Sequence, residues 1–167
     1  MKNVVMLATI HQYQMSGNDA SLELGECLDY LRSEFKVQKA VDFQTAMEEW
    51  SEELGETVVR EFATESGLHW ANVGTPDEPQ FRTYAPFGAV KHPGHNGTLR
   101  WDPHAPPIDE YGPFEKQEAR EKRMVQNVRA EMENYESGIL VLGLAHMHSV
   151  FEKLESSGFK VYGYKYL

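Results

Sequence analysis

The chain has 167 residues, of which 41% are apolar and 25% charged, a composition typical of one folded domain rather than a disordered or fibrous chain. It carries 26 Asp and Glu against 16 Lys and Arg, and the net charge of −10 disfavours nucleic acid and anionic membranes as partners. With a single cysteine, Cys27, and neither a membrane span nor a signal peptide in the sequence, we expect a cytoplasmic protein. These quantities leave its oligomeric state open.

Strand-like and helix-like patterns alternate along the chain. An apolar run at residues 4–10 predicts a strand buried on both faces. Apolar residues at helical spacing then predict a helix with one buried face: Leu24, Leu28, Leu31 and Phe35. Further strands are predicted at residues 41–47, 68–73, 138–144 and 159–164, and further helices at residues 53–66, 114–135 and 148–157. The alternation is typical of an α/β fold with a mostly parallel sheet flanked by helices, so we treat residues 1–167 as a single α/β domain.

A long proline-rich segment interrupts this alternation. All eight prolines lie within residues 74–113, which therefore cannot form a long helix or a central strand. The segment is also rich in aromatic residues, including Tyr84 and Trp101, unlike a flexible linker. We interpret it as an ordered loop that forms a lid over a site. The alternative is an inert excursion that covers a sheet edge.

Candidate chemical groups follow three of the predicted strands. His11 comes directly after the first strand, Glu48 and Glu49 after the second, and His146 after the strand at residues 138–144. Because ligands of open parallel sheets bind at the carboxyl ends of the strands, we expect these side chains to share one site. For each residue taken alone, a turn histidine or a solvated glutamate pair is the plainer interpretation.

Two kinds of chemistry suit such a set. Neutral imidazole can take a proton from water near pH 7 while a carboxylate orients the ring. Alternatively, His11, Glu49, His146 and the nearby His148 provide the ligand types of a site that activates metal-bound water. As a cofactor we favour a divalent metal over haem, and the sequence does not decide whether either is bound.

Arg120 lies on the helix that follows the proline-rich segment. Facing the site, it would stabilise developing negative charge. The alternative for this part of the helix is a charged surface with pairs such as Glu118 and Lys122, four residues apart.

The order of these motifs resembles that in the superfamily of erythromycin esterases, ChaN-type haem-binding proteins and TraB/Tiki proteins, particularly its small bacterial members. TraB/Tiki proteins carry a G-x-x-H motif at each end of the domain. Here residues 143–146 read GLAH and residues 8–11 read ATIH, with alanine in the place of glycine. The Glu-Glu pair at residues 48–49 and the arginine-bearing helix at residues 120–127 follow the same order. The resemblance implies a parallel α/β fold with His11, Glu48 or Glu49, Arg120 and His146 in one cleft.

The sequence thus predicts a small hydrolase, esterase-like or peptidase-like, that acts on a small-molecule or peptide substrate. His11 or His146 would activate water, Glu48 or Glu49 would orient the base or bind a metal, and Arg120 would stabilise negative charge. The rival prediction is a non-catalytic module that binds haem, a metal or a partner protein on the same fold.

Overall fold

The computed structural model describes residues 1–50, 55–74, 98–100 and 114–166. Its strands are β1 (Asn3–Thr9), β2 (Thr45–Glu48), β3 (His69–Asn72), β4 (Thr98–Arg100), β5 (Ser137–Gly143) and β6 (Lys160–Tyr166). Its helices are α1 (His11–Gln14), α2 (Asp19–Lys39), α3 (Val58–Ser66), α4 (Phe114–Glu131) and α5 (Met147–Ser156). Short 3-10 turns at Met132–Asn134 and Leu144–His146 flank β5.

The strands form one six-stranded sheet in the order β3-β2-β5-β1-β6-β4. Strands β1, β2, β3, β5 and β6 are mutually parallel, and β4 pairs antiparallel with β6. The predicted α/β fold with a mostly parallel sheet is therefore confirmed. In the centre, Thr9 of β1 pairs with Gly143 of β5, so the carboxyl ends of these two strands lie side by side.

Apolar side chains of the central strands are buried on both faces of the sheet. Val4 and Met6 belong to a core cluster with residues of α4 and α5, including Val128. Val5 belongs to a second cluster with residues of α2 and α3, including Leu28. Successive side chains of a strand point to opposite faces, so a continuous apolar run such as β1 requires helices on both sides.

Local sequence features determine where α2 begins and ends. At its start, the Asn18 side chain accepts a hydrogen bond from the backbone N–H of Ser21 at 2.9 Å, and Oγ of Ser21 receives the backbone N–H of Asn18 at 3.2 Å. This reciprocal capping box satisfies two otherwise unpaired donors. The helix ends at Ala40, whose φ of 53° lies in the left-handed region and terminates the helical pattern.

The strand boundaries differ most at β2, which begins at Thr45 rather than at residue 41. Two elements were not predicted from the sequence, the short helix α1 and strand β4. Strand β4, at residues 98–100, covers the edge of β6. For these three residues the structure agrees with the alternative prediction, in which the proline-rich segment covers a sheet edge. The predicted lid, with Tyr84 and Trp101, otherwise lies outside the described residues. Among the described helices, none combines the length and apolarity needed to cross a bilayer.

Candidate functional site

The carboxyl ends of β1, β5 and β2 bring the predicted residues together. These strands are neighbours in the sheet, and each continues into a segment that turns over its edge. His11 is the first residue of α1, and His146 ends the 3-10 turn after β5. Glu49 directly follows β2 and is held beside β5 by a hydrogen bond of 2.9 Å from its backbone N–H to the carbonyl of Val141.

The Glu49 carboxylate is the centre of the site. Its Oε2 atom lies 3.0 Å from Nε2 of His146 and 3.4 Å from a guanidinium nitrogen of Arg120. Its Oε1 atom accepts the backbone N–H of Gly143 at 2.9 Å and lies 3.3 Å from Nε2 of His11. One buried carboxylate thus contacts both histidines and the arginine that the sequence analysis selected.

The second ring nitrogen of each histidine is held by a different helix. Nδ1 of His11 lies 2.7 Å from Oε1 of Gln14, at the end of α1. Nδ1 of His146 lies 3.0 Å from Oε1 of Glu121 in α4. His146 is therefore placed between two carboxylates, whereas His11 has one carboxylate and one neutral amide. The two rings differ in electrostatic environment although they share Glu49.

This difference affects the proton affinity of the rings. Burial disfavours a charged His146, but Glu49 and Glu121 outweigh it and raise the pKa of His146 to about 9. Burial acts in the same way on His11, where Glu49 and Gln14 still raise the pKa above its ordinary value of 6.5. Burial alone would raise the pKa of Glu49, yet the two histidines bring it well below its usual range.

Glu48 is fully buried on the other face of β2. It accepts hydrogen bonds from Oγ1 of Thr57 at 2.5 Å, from the indole N–H of Trp70 at 3.0 Å and from the amide of Gln14 at 3.1 Å. Burial raises the pKa of Glu48 to about 7, against the effect of these three donors. Because neighbouring strand residues point to opposite faces, the Glu-Glu pair supplies two carboxylates with different surroundings.

The metal-site prediction finds no support in this arrangement. In the part of the chain that the structure describes, no three His, Cys, Asp or Glu side chains are arranged to hold a metal ion. The carboxylate of Glu49 already receives hydrogen bonds from Gly143, Arg120 and His146. The fourth predicted ligand, His148, lies in α5 and pairs with Glu152 one turn further along the helix, at 3.3 Å.

Both interpretations of the helix around Arg120 hold. Arg120 reaches Glu49, as its role in the site requires. On the other side of the helix, Glu118 pairs with Lys122 at 3.8 Å and with Lys153 of α5 at 3.1 Å. A helix can serve both roles because residues two apart face different directions.

Sequence reasoning did not identify four residues of the site, namely Gln14, Thr57, Trp70 and Glu121. Glu121 was visible as a neighbour of Arg120 on a helix expected near the site. Gln14 follows His11 by three residues and would have been found if a short helix had been predicted after β1, because such spacing places two side chains on one face. Thr57 and Trp70 carry no comparable pattern.

Comparison with known proteins adds no family or function: no family model, curated protein or solved structure matches the chain. The resemblance to the esterase, ChaN and TraB/Tiki superfamily therefore stays a prediction. The functional conclusion depends on the site itself.

Proposed function

We propose that this protein is a hydrolase in which two histidines around one buried glutamate transfer protons in opposite directions. In the proposed reaction, Nε2 of His11 takes a proton from water, and the hydroxide attacks the carbonyl carbon of an ester or amide. The bond to the leaving group then breaks as His146 donates a proton to it. The observation that carries the proposal is the contact of Glu49 with both histidines, at 3.3 and 3.0 Å.

The assignment of base and acid follows from the neighbours of each ring. His146 lies between Glu49 and Glu121 and retains its proton at neutral pH, with a pKa of about 9, which suits an acid. His11 has a single carboxylate neighbour, and we assign it as the base because one carboxylate stabilises a protonated ring less than two do. Acid–base pairs in enzymes are commonly two groups whose environments separate their pKa values.

Arg120 is the third component of the proposal. Its side chain is 22% exposed, compared with 11% for His11 and 4% for His146, so it lies nearest to solvent. A guanidinium at this position can donate to the oxyanion that forms when the carbonyl is attacked. We therefore expect the substrate carbonyl to bind between Arg120 and His11.

The energetic cost of the cluster supports a functional role. Several charged or strongly polar groups around Glu49 are buried together, and burying charges usually costs more than an apolar replacement would. Groups that serve catalysis are a common reason for such a cost. As part of the proposal, the substrate is a small ester or a peptide, and the protein acts in the cytoplasm, where the single Cys27 needs no disulfide partner.

The proposal is tested with chromogenic probes, namely p-nitrophenyl acetate, p-nitrophenyl butyrate and a peptide p-nitroanilide. We expect hydrolysis of at least one probe, and a loss of roughly 10²–10⁴-fold in kcat for Glu49→Gln and His11→Gln. The matched control is His69→Gln, because His69 also pairs with a glutamate, Glu131, but lies at the amino end of β3. Equal losses in all three variants would contradict the proposal.

Metal content and visible absorption are measured on the same purified sample. Activity that persists after chelation supports the proposed metal-free reaction. Activity that requires a stoichiometric divalent metal would replace it with metal-activated water, and a haem absorption band without hydrolysis would indicate the rival haem-binding module.

A further inference from the structure

Gln14 is fully buried and connects the two parts of the site. Its amide nitrogen lies 3.1 Å from Oε2 of Glu48 and 3.2 Å from the backbone carbonyl of Glu49. Its amide oxygen lies 2.7 Å from Nδ1 of His11. Every polar atom of the Gln14 side chain is thus engaged with a residue of the site.

The orientation of this amide follows from its partners. A peptide carbonyl can only accept a hydrogen bond, so the side of Gln14 that faces the Glu49 carbonyl must be its NH₂ group. Oε2 of Glu48, whose other oxygen is held by Thr57 and Trp70, accepts the second N–H of that group. Only the amide oxygen remains to face His11. Because this oxygen cannot donate, Nδ1 of His11 must carry the hydrogen between them.

Gln14 and Glu49 favour opposite positions for the hydrogen on the neutral His11 ring. A carboxylate beside Nε2 would by itself favour a hydrogen on that nitrogen, and Nε2 lies 3.3 Å from Oε1 of Glu49. Among the described residues, however, this buried Nε2 atom forms no hydrogen bond of good geometry. The shorter contact with Gln14 therefore decides where the single hydrogen of the neutral ring resides.

We infer that Gln14 is a positioning residue that holds neutral His11 with its hydrogen on Nδ1, so that Nε2 is the nitrogen that gains and loses the proton. The inference rests on the proposed function for its purpose, because a base at Nε2 is useful only if His11 takes a proton from water. The position of the hydrogen itself does not depend on any activity.

The experiment records long-range ¹H–¹⁵N correlation spectra of the histidine rings in ¹⁵N-labelled protein, at a pH above the titration of both His11 and His146. The two ring-nitrogen shifts distinguish a hydrogen on Nδ1 from one on Nε2. His11→Asn assigns the His11 signals. In the parent protein we expect the hydrogen on Nδ1, and a hydrogen on Nε2 would overturn the inference.

Two variants test whether Gln14 is what holds the hydrogen on Nδ1 of His11. Gln14→Met replaces the amide with an unbranched apolar chain, and we expect the hydrogen to move to Nε2, facing Glu49. Glu48→Gln leaves Gln14 in place but replaces Oε2 with an NH₂ group, since Thr57 and Trp70 still require an oxygen at Oε1. That NH₂ group cannot accept a hydrogen bond from Gln14, but the Glu49 carbonyl still requires the NH₂ group of Gln14 on its side, so the hydrogen of His11 is expected to stay on Nδ1.

The His69 ring, which is bonded to Glu131, is the internal control and should keep its signals in every variant. A parent-like His11 signal in Gln14→Met would overturn the inference, and far-UV circular dichroism identifies any variant that fails to fold. If a variant does not fold, the spectrum of the parent protein still shows which ring nitrogen of His11 carries the hydrogen and so decides the inference. If the hydrogen positions are as expected but no probe ester is hydrolysed, the proposed function fails and the inference stands. If hydrolysis occurs, Gln14→Met should lose roughly 10²–10⁴-fold in kcat.

Discussion

A β-carbon on Gly143 would lie 2.8 Å from Nε2 of His11 and 3.2 Å from Oε1 of Glu49. Gly143 has a φ of −70°, which any residue can adopt. The site therefore requires glycine here because it has no side chain, and not because of its backbone freedom. The glycine of the second G-x-x-H motif leaves room for the imidazole of the first. Ala8, in the corresponding position of the first motif, is packed in the core instead.

Gly143→Ala should therefore displace the His11 ring and lower kcat by roughly 10²-fold or more. The matched control is Gly138→Ala in the same strand, where a β-carbon would meet Met47 and Thr45 at 2.9 Å. That variant should lose about 1–3 kcal/mol of stability and keep its activity when folded. Both are measured by urea unfolding and by kcat on the best probe ester. Retained activity in Gly143→Ala would contradict the proposed contact.

The rate of hydrolysis should show a bell-shaped dependence on pH. The base His11 must be neutral, so the rate rises as pH passes through its pKa, which lies above 6.5. The acid His146 must be protonated, so the rate falls again near its pKa of about 9. The profile is measured as kcat/KM against pH.

Glu121→Gln should move the falling limb of this profile to lower pH. Glu121 is one of two carboxylates that stabilise the protonated His146 ring, and its removal lowers the pKa of His146. Glu118→Gln is the control, since Glu118 lies in the same helix but pairs with Lys122 and Lys153. If both variants shift the limb equally, His146 is not the acid.

Folding stability should fall between pH 6.5 and about 9. The pKa of His146 is raised from 6.5 to about 9 on folding. Its contribution is therefore complete below the lower value and lost as pH rises through the upper one. The change is on the order of 3 kcal/mol if His146 acts alone. His146→Gln should flatten the curve of urea midpoints against pH in this range, and an unchanged curve would contradict the pairing.

Acid should weaken the protein by a different route. Glu49 has a folded pKa well below its ordinary 4.5, so its contribution is present above that value and is lost as pH falls through the folded pKa. In Glu49→Gln the decline below pH 4.5 should be shallower than in the parent. Urea midpoints between neutral and acid pH measure it, and parallel curves would count against an ionised Glu49.

Cys27 should be inert to thiol reagents in the folded protein. Its side chain is fully buried in the core with α2 and α3 residues, and burial raises the pKa of the thiol to about 12. Because the thiolate is the reactive form, labelling by Ellman's reagent should require unfolding. Rapid labelling of the native protein would contradict the packing of α2.

The sheet order explains why much of the site could be predicted. His11 and His146 follow two apolar runs that are recognisable as buried strands, and such strands in an alternating α/β pattern are usually parallel. Their carboxyl ends therefore meet at one edge of the sheet. Glu49 follows β2, which is the other neighbour of β5, so its position follows from the same rule.

The remaining residues depend on geometry that no sequence period encodes. Gln14 faces His11 because α1 makes a single turn after β1, too short to leave a helical pattern. Thr57 was expected inside a helix beginning at residue 53, but it is the N-cap of α3 and donates to Glu48. Whether Glu48 or Glu49 joins the histidines depends on which face of β2 each occupies, and the sequence pattern does not determine that register, since the strand predicted from residue 41 begins at Thr45.

The position of β1 in the middle of the sheet has a consequence for how the chain acquires its structure during synthesis. Asn3 pairs with Ser137 on one side and with Lys160 on the other, so β1 finds both partners only after α5 has been made. Contacts between such distant residues slow folding. His11 and Glu49 therefore meet His146 late, and the emerging chain spends most of its translation without its central strand pairing.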